Sequence, residues 1–163
     1  MSEAKIDRSR YVPALLTSIS LSYRAAQGAT FRKLFDTGIL EWRILLIIAT
    51  MGPASGRKIA ATIGVDTAAV SRSIKILAER ELVRVERDER HVRRQIVSLT
   101  AEGRALYARM EPIAIEREQR LLSAFSAVEQ DLLISLLQRL AAQIPTFGDP
   151  VSQEADLPPE GLE

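Results

Sequence analysis

Residues 55–83 read SGRKIAATIGVDTAAVSRSIKILAERELV, and two helix starts are visible in them. Ser55 is a favourable N-cap for a short helix over 56–63, because its hydroxyl can accept from an amide that the first turn leaves without an intrahelical partner. Gly64-Val65-Asp66 is a turn, and Asp66 can cap a second helix running from Thr67 to about Glu81. Two short helices joined by three residues that include a glycine make a helix-turn-helix pattern. Ile59, Ala60 and Ile63 are the buried candidates of the first helix; Val70, Ile74 and Leu77 repeat at i, i+4 and i+7 in the second. The opposite face of the second helix presents Thr67, Ala68, Ser71, Arg72 and Lys75, small at its start and basic farther along.

Downstream, Val83 and Val85 alternate with Arg84 and Glu86, Asp88-Glu89-Arg90-His91 interrupts, and 95–99 again suits a strand. This predicts a β-hairpin with a charged tip, its register left open by the adjacent Ile96 and Val97. Arg84, Arg87, Arg90, Arg93, Arg94 and the chain's only histidine, His91, fall within this hairpin. Thr100 can cap a long helix beginning at Ala101, which Pro112 should bend because proline deletes one backbone donor. Ser126-Ala127-Val128-Glu129 has the form of a capping box for a last helix, striped by Leu133, Leu136, Leu137, Leu140 and Ile144. Upstream, Val12, Leu15, Leu16, Ile19 and Tyr23 mark an amphipathic helix over about 9–27. Gly28 and a short apolar turn containing Phe31, Leu34 and Phe35 lead to a second helix over about 38–51. Trp42, Leu45, Leu46 and Ile48 leave that helix little polar face, and Gly52-Pro53 stops it.

At 163 residues the chain is long enough for one domain with a real core. Apolar residues make up 47% and charged residues 26%, near globular averages, so neither global disorder nor a fibrous repeat is indicated. The absence of cysteine excludes disulfides, zinc fingers and thiol redox sensing, and one histidine cannot furnish a transition-metal site. No nucleophile elbow, phosphate-binding loop or metal-ligand spacing is present, so neither catalytic residues, an enzyme nor a cofactor is expected. The N-terminus lacks the apolar region of a secretory signal. The most apolar run, 44–51, is far short of the ~20 residues of a membrane span, so a soluble, cytoplasmic protein without a membrane partner is expected. Residues 145–163 carry five acids and no base; without them the rest of the chain holds a net charge of +6. This proline-rich segment reads as an acidic, disordered tail.

The order of elements describes a mainly α fold with a small β-hairpin: a winged helix-turn-helix with helical extensions. The stretch quoted above and RDERHVRRQIVSLTAEG at 87–103 resemble the MarR family of bacterial transcriptional regulators, through V-S-R-x-I-x-x-L, a basic wing and a closing V-S-L-T-x-x-G. The resemblance implies a single MarR-like domain over 9–144. Its winged helix-turn-helix would occupy about 38–100, and its dimerisation helices about 9–27 and 101–144. It further implies a homodimer on a pseudo-palindromic operator in double-stranded DNA, and a small aromatic or anionic effector bound between the dimerisation helices and the winged part. Arg24, Trp42 and Arg43 are the cleft candidates.

Elementary chemistry supports the DNA assignment. A helix about 10 to 12 Å across fits the major groove. Thr67, Ala68 and Ala69 are short enough to let the backbone approach base edges, Ser71 can donate to a phosphate, and Arg72 can reach guanine or the backbone. Lys75 continues the basic face, and Arg57 and Lys58 of the preceding helix are candidate phosphate contacts. An arginine inserted from the hairpin into a neighbouring minor groove meets enhanced negative potential, which makes Arg93 and Arg90 the inserting candidates. Arg87 and His91 complete the wing's contacts. Two departures from the family stand out: its Asp-x-Arg wing motif falls on His91-Val92-Arg93, and its usual glycine at the end of the recognition helix is Glu81. Either that helix ends differently or Glu81 is strained. A winged-helix protein-interaction module without operator binding is the alternative function.

Overall fold

The computed structural model describes residues 6–88 and 91–144. Among these, six helices and one antiparallel two-stranded sheet follow in the order α1 (Val12–Phe35), α2 (Ile39–Met51), α3 (Gly56–Ile63), α4 (Thr67–Glu79), β1 (Val83–Asp88), β2 (His91–Leu99), α5 (Ala101–Leu122) and α6 (Ala127–Gln143). Two compact units divide the chain, one ending at Arg117 and the other beginning at Glu118. The tail over 145–163 lies outside the described residues. No described helix is long and apolar enough to cross a membrane.

In the first unit α2 supplies the middle of the core. Its Trp42, Ile44, Leu45 and Ile48 join Ile59 and Ile63 of α3, Val70, Ile74 and Leu77 of α4, and Val83, Val97 and Leu99 of the hairpin in one buried cluster. Each fully buried aliphatic side chain in such a cluster contributes about 1.5 to 3 kcal/mol relative to exposure. Phe31 of α1 meets Trp42 at 5.0 Å between ring centroids, and Tyr107 of α5 stacks on the same indole at 5.6 Å.

Helix α1 does not stop near residue 27 but runs through Gly28 to Phe35. Mid-helix glycine costs about 1 kcal/mol relative to alanine. Here Gly28 is buried where α2 comes close, with Ile39 Cβ 3.6 Å from where a side chain would begin, so the residue serves packing rather than termination. The apolar residues assigned to a turn are therefore the last helical turns, and Phe31 becomes fully buried. The helix ends at Asp36, whose φ of 49° is left-handed.

The helix-turn-helix forms as its capping residues dictate: Ser55 Oγ accepts from the Lys58 amide at 3.3 Å, and Asp66 Oδ2 from the Ala69 amide at 3.0 Å. Helix α4 ends at Glu79, two residues short of the expected limit. Leu82 N–H then donates to Leu77 O and Glu81 N–H to Ala78 O, each at 2.9 Å, the pairing of a Schellman end. Glu81 occupies its left-handed position, at φ 57°. Both expected alternatives are thus true together: the helix ends early, and a glutamate takes a conformation costing an L-residue about 1 to 2 kcal/mol.

The hairpin register pairs Val83 with Leu99 and Val85 with Val97, so Val83, Val97 and Leu99 are buried while Ile96 falls on the other face. A bridge between Ala54 and Val97 fastens β2 to the loop after α2. Thr100 then joins three elements: its Oγ1 donates to Glu81 O at 2.7 Å and accepts from the Gly103 amide at 2.9 Å. A Cβ on Gly103 would land on the Leu82 carbonyl oxygen, which explains the glycine of the V-S-L-T-x-x-G motif by close backbone approach. Farther along α5, Arg117 Nη1 donates to Thr30 Oγ1 of α1 at 2.8 Å. Pro112 lies inside α5, which continues to Leu122.

In the second unit, Ser126 and Glu129 form the expected capping box of α6, and Gln130 Nε2 donates to the Phe125 carbonyl at 3.0 Å. No residue of α6 is buried.

Candidate nucleic-acid interface

Helix α4 has two chemically distinct faces because its caps and apolar period fix its rotation. Val70, Ser73, Ile74 and Leu77 are buried; Thr67, Ala68, Ser71, Arg72 and Lys75 are exposed, and Ala69 is half-buried. The first turn thus offers a low, small-residue surface followed by two cations. Lys75 Nζ lies 3.8 Å from Glu79 Oε1 with both side chains largely exposed, a pair weak enough to leave the ammonium available to another anion.

Arg57 and Lys58 are exposed in the first turn of α3, and Arg87 is exposed on β1. Arg84, on the same strand, approaches Glu86 at 3.6 Å. The wing pairing becomes irregular beyond Arg87, where Asp88 pairs with His91. Arg90 lies outside the described residues, as do the side chains of His91 and Arg93.

Two residues that hold α4 in place escaped the sequence reading. Ser73 is buried and its Oγ donates to Glu41 Oε1 of α2 at 2.7 Å, anchoring the inner face of α4 through a polar contact. The available signal was a serine between Val70 and Ile74 on the buried face. At the other end, Arg80 Nη1 donates to Asp36 O at 2.7 Å and Nη2 to Phe35 O at 3.3 Å, so the residue after α4 caps the end of α1. That contact spans 44 positions and has no local signature.

The cleft candidates are placed unequally. Trp42 is only 4% exposed and packs in the core. Arg43 Nη2 donates to Ile63 O at 2.8 Å, holding the last turn of α3. Burial lowers the Arg43 pKa, and the neighbouring charge of exposed Arg24 lowers it further. Arg24 and Arg43 are thus brought within electrostatic reach of each other, and among the described residues no acid pairs with either. Tyr107, beneath Trp42, donates to Glu111 Oε1 at 2.6 Å; burial, then this carboxylate, push its pKa up to about 12.

Comparison with known proteins agrees with this architecture. A model described as MarR family matches residues 35–94. The chain is 29% identical over 140 residues to the HTH-type transcriptional regulator YwaE of Bacillus subtilis, spanning 80% of this chain and 82% of that one. It is 30% identical to a MarR/EmrR family transcriptional regulator from Acinetobacter sp. ADP1, whose crystal structure matches with a TM-score of 0.81 over 86% of this chain and 99% of the other. At 24% identity, BpsR of Bordetella bronchiseptica, whose DNA binding is regulated by 6-hydroxynicotinic acid, shares the fold with a TM-score of 0.75 over 85% of this chain and 98% of its own. With its winged helix-turn-helix, its V-S-R-x-I-x-x-L helix and this coverage, the chain belongs to the MarR family of transcriptional regulators.

Proposed function

We propose that the protein is a homodimeric, sequence-specific DNA-binding regulator, a ligand-responsive repressor acting at a pseudo-palindromic operator. The observation that carries this reading is the uncovered face of α4, where small residues precede Arg72 and Lys75. Thr67, Ala68 and Ala69 would lie against base edges in the major groove, with Ser71, Arg72 and Lys75 reaching phosphate or guanine. Arg57 and Lys58 would hold the flanking backbone. Arg87, Arg90, His91 and Arg93 of the wing would engage phosphates and the adjacent minor groove.

The uncovered apolar stripes support the dimer. Ile19 of α1 and Leu132 of α6 are 58% and 56% exposed, and each belongs to a run of exposed aliphatic residues. A second copy would cover such stripes by a two-fold arrangement and set two α4 helices about 34 Å apart, one turn of DNA. Arg24 and Arg43 support a small anionic, aromatic effector, the class to which the regulator of BpsR belongs.

Selection of bound fragments from random duplex DNA tests binding, symmetry and half-site spacing together. The expected product is an inverted repeat with half-sites one helical turn apart, bound with log K falling by about 0.9 per log unit of salt for each phosphate neutralised. Recovery of no enriched, salt-sensitive duplex would instead favour a winged-helix protein-interaction module.

A further inference from the structure

Hydroxyls inside helices ordinarily close on their own helix. Thr17, Thr30, Thr50 and Thr62 each donate to the carbonyl four positions back, at 2.8 to 3.2 Å. Ser73 of α4 departs from that pattern. Its Oγ donates out of the helix to Glu41 Oε1 of α2 at 2.7 Å, the short distance of a bond to a carboxylate, and the residue is only 5% exposed.

Glu41 is held for this contact from its own side. It is the third residue of α2, in the turn where unpaired amides favour a carboxylate. Its second oxygen, Oε2, lies against Gly38, where a Cβ would overlap it. Gly38 has φ −73°, a backbone that any residue adopts, so the glycine here makes room for the carboxylate. An aliphatic stripe such as Val70, Ile74 and Leu77 presses α4 on the core without a preferred direction, whereas the Ser73 bond has one.

A helix with its side chains is about 10 to 12 Å across, so a roll of about 20° carries an exposed side-chain end about 2 Å sideways. That exceeds the spread of hydrogen-bond lengths that a base edge accepts, about 2.7 to 3.2 Å. We propose that Gly38, Glu41 and Ser73 form a positioning chain that fixes the roll of α4 and thereby its discrimination between base sequences. This role, which rests on the DNA reading above, gives sequence discrimination to side chains on the inner side of α4 and at the start of α2, apart from Thr67, Ala68 and Arg72. Gly38 acts through Glu41, and Glu41 through Ser73; none of the three is placed at a base or a phosphate.

The whole chain is tested against the duplex that the parent enriches from random DNA and against a scrambled duplex of equal length. Ser73→Ala and Gly38→Ala should each lower the ratio of the two affinities about tenfold, the scale of one misaligned base contact. Affinity for the scrambled duplex and its salt slope should stay within about twofold, because the phosphate-facing cations are unchanged. The two changes together should cost no more than either alone, since both break the same link. Glu41→Gln, which keeps a carbonyl acceptor for Ser73, should keep the ratio. Without DNA, residual dipolar couplings should show α4 rolled relative to α2 in Ser73→Ala and Gly38→Ala but not in Glu41→Gln. Unchanged couplings, an undiminished ratio in either alanine variant, or additive losses in the double variant would overturn the positioning chain. A parent chain that prefers no duplex would overturn the DNA reading, and with it the recognition role of the three residues.

Discussion

Helices α4 and α6 are comparable in length, 13 and 17 residues, and both are amphipathic by sequence, yet they dispose of their apolar residues in opposite ways. Val70, Ile74 and Leu77 of α4 are all buried within the first unit, whereas on the α6 stripe Leu136 and Leu137 remain exposed and Leu133 and Leu140 are half-buried. The period of the stripes is the same; what differs is that α4 finds its opposing surface within its own unit, whereas no residue of α6 is buried. A helix whose apolar stripe is covered leaves its polar face free to act, as α4 does. A helix whose stripe is bare suits the proposed second copy.

The most direct way to break this contrast is to charge the α6 stripe. Leu136→Asp with Leu137→Asp should weaken self-association by about 4 kcal/mol, roughly a thousandfold, while circular dichroism stays close to that of the parent. Sedimentation equilibrium giving an unchanged dimer mass would show that α6 is not the covered surface.

The covered side of the contrast is probed next at Gly103. Because a methyl group there meets the Leu82 carbonyl, Gly103→Ala should destabilise the first unit by about 2 to 3 kcal/mol in urea denaturation. A loss under about 0.5 kcal/mol would mean that the junction relaxes freely.

Glu81 sharpens the same comparison in the other direction. Glu81→Gly should raise stability by roughly 0.5 to 1 kcal/mol, the left-handed penalty less the added unfolded-state freedom of glycine. A destabilised variant would show that the Glu81 side chain itself contributes more than its backbone costs.

At Tyr107 the effect leaves stability near neutral pH unchanged and shows only on alkaline titration. Its folded pKa of about 12 exceeds the ordinary value of 10.0, so the neutral phenol is favoured by the fold. That contribution is complete below pH 10 and is lost as pH rises toward 12. Ultraviolet titration should show one tyrosine ionising about two units late, absent in Tyr107→Phe; a normal midpoint would remove the contact with Glu111 from the account.

Much of the fold could be read from residues whose structural effect is local. Ser55, Asp66 and Ser126 each specify a helix start through a hydrogen bond three positions away, and the i, i+4, i+7 repeat of Val70, Ile74 and Leu77 specifies which face of α4 is buried. Errors arose where tertiary contact overrode local preference. Gly28 carries a terminator's sequence signal but lies against Ile39, and Glu81 carries a helix former's signal but takes the place of a C-terminal glycine. The exposed face of α4 was legible as the complement of the buried one. Its supports, Ser73 to Glu41 and Arg80 to Phe35 and Asp36, were not, because they join residues 32 to 45 positions apart.

The junction at Thr100 has a mechanical consequence. With its hydroxyl bound to Glu81 and Gly103, and no room for even a methyl group beside Leu82, the base of the hairpin, the end of α4 and the start of α5 have little slack between them. A displacement imposed on the first turn of α5 would therefore be passed to the end of α4 and the base of the hairpin rather than absorbed between them.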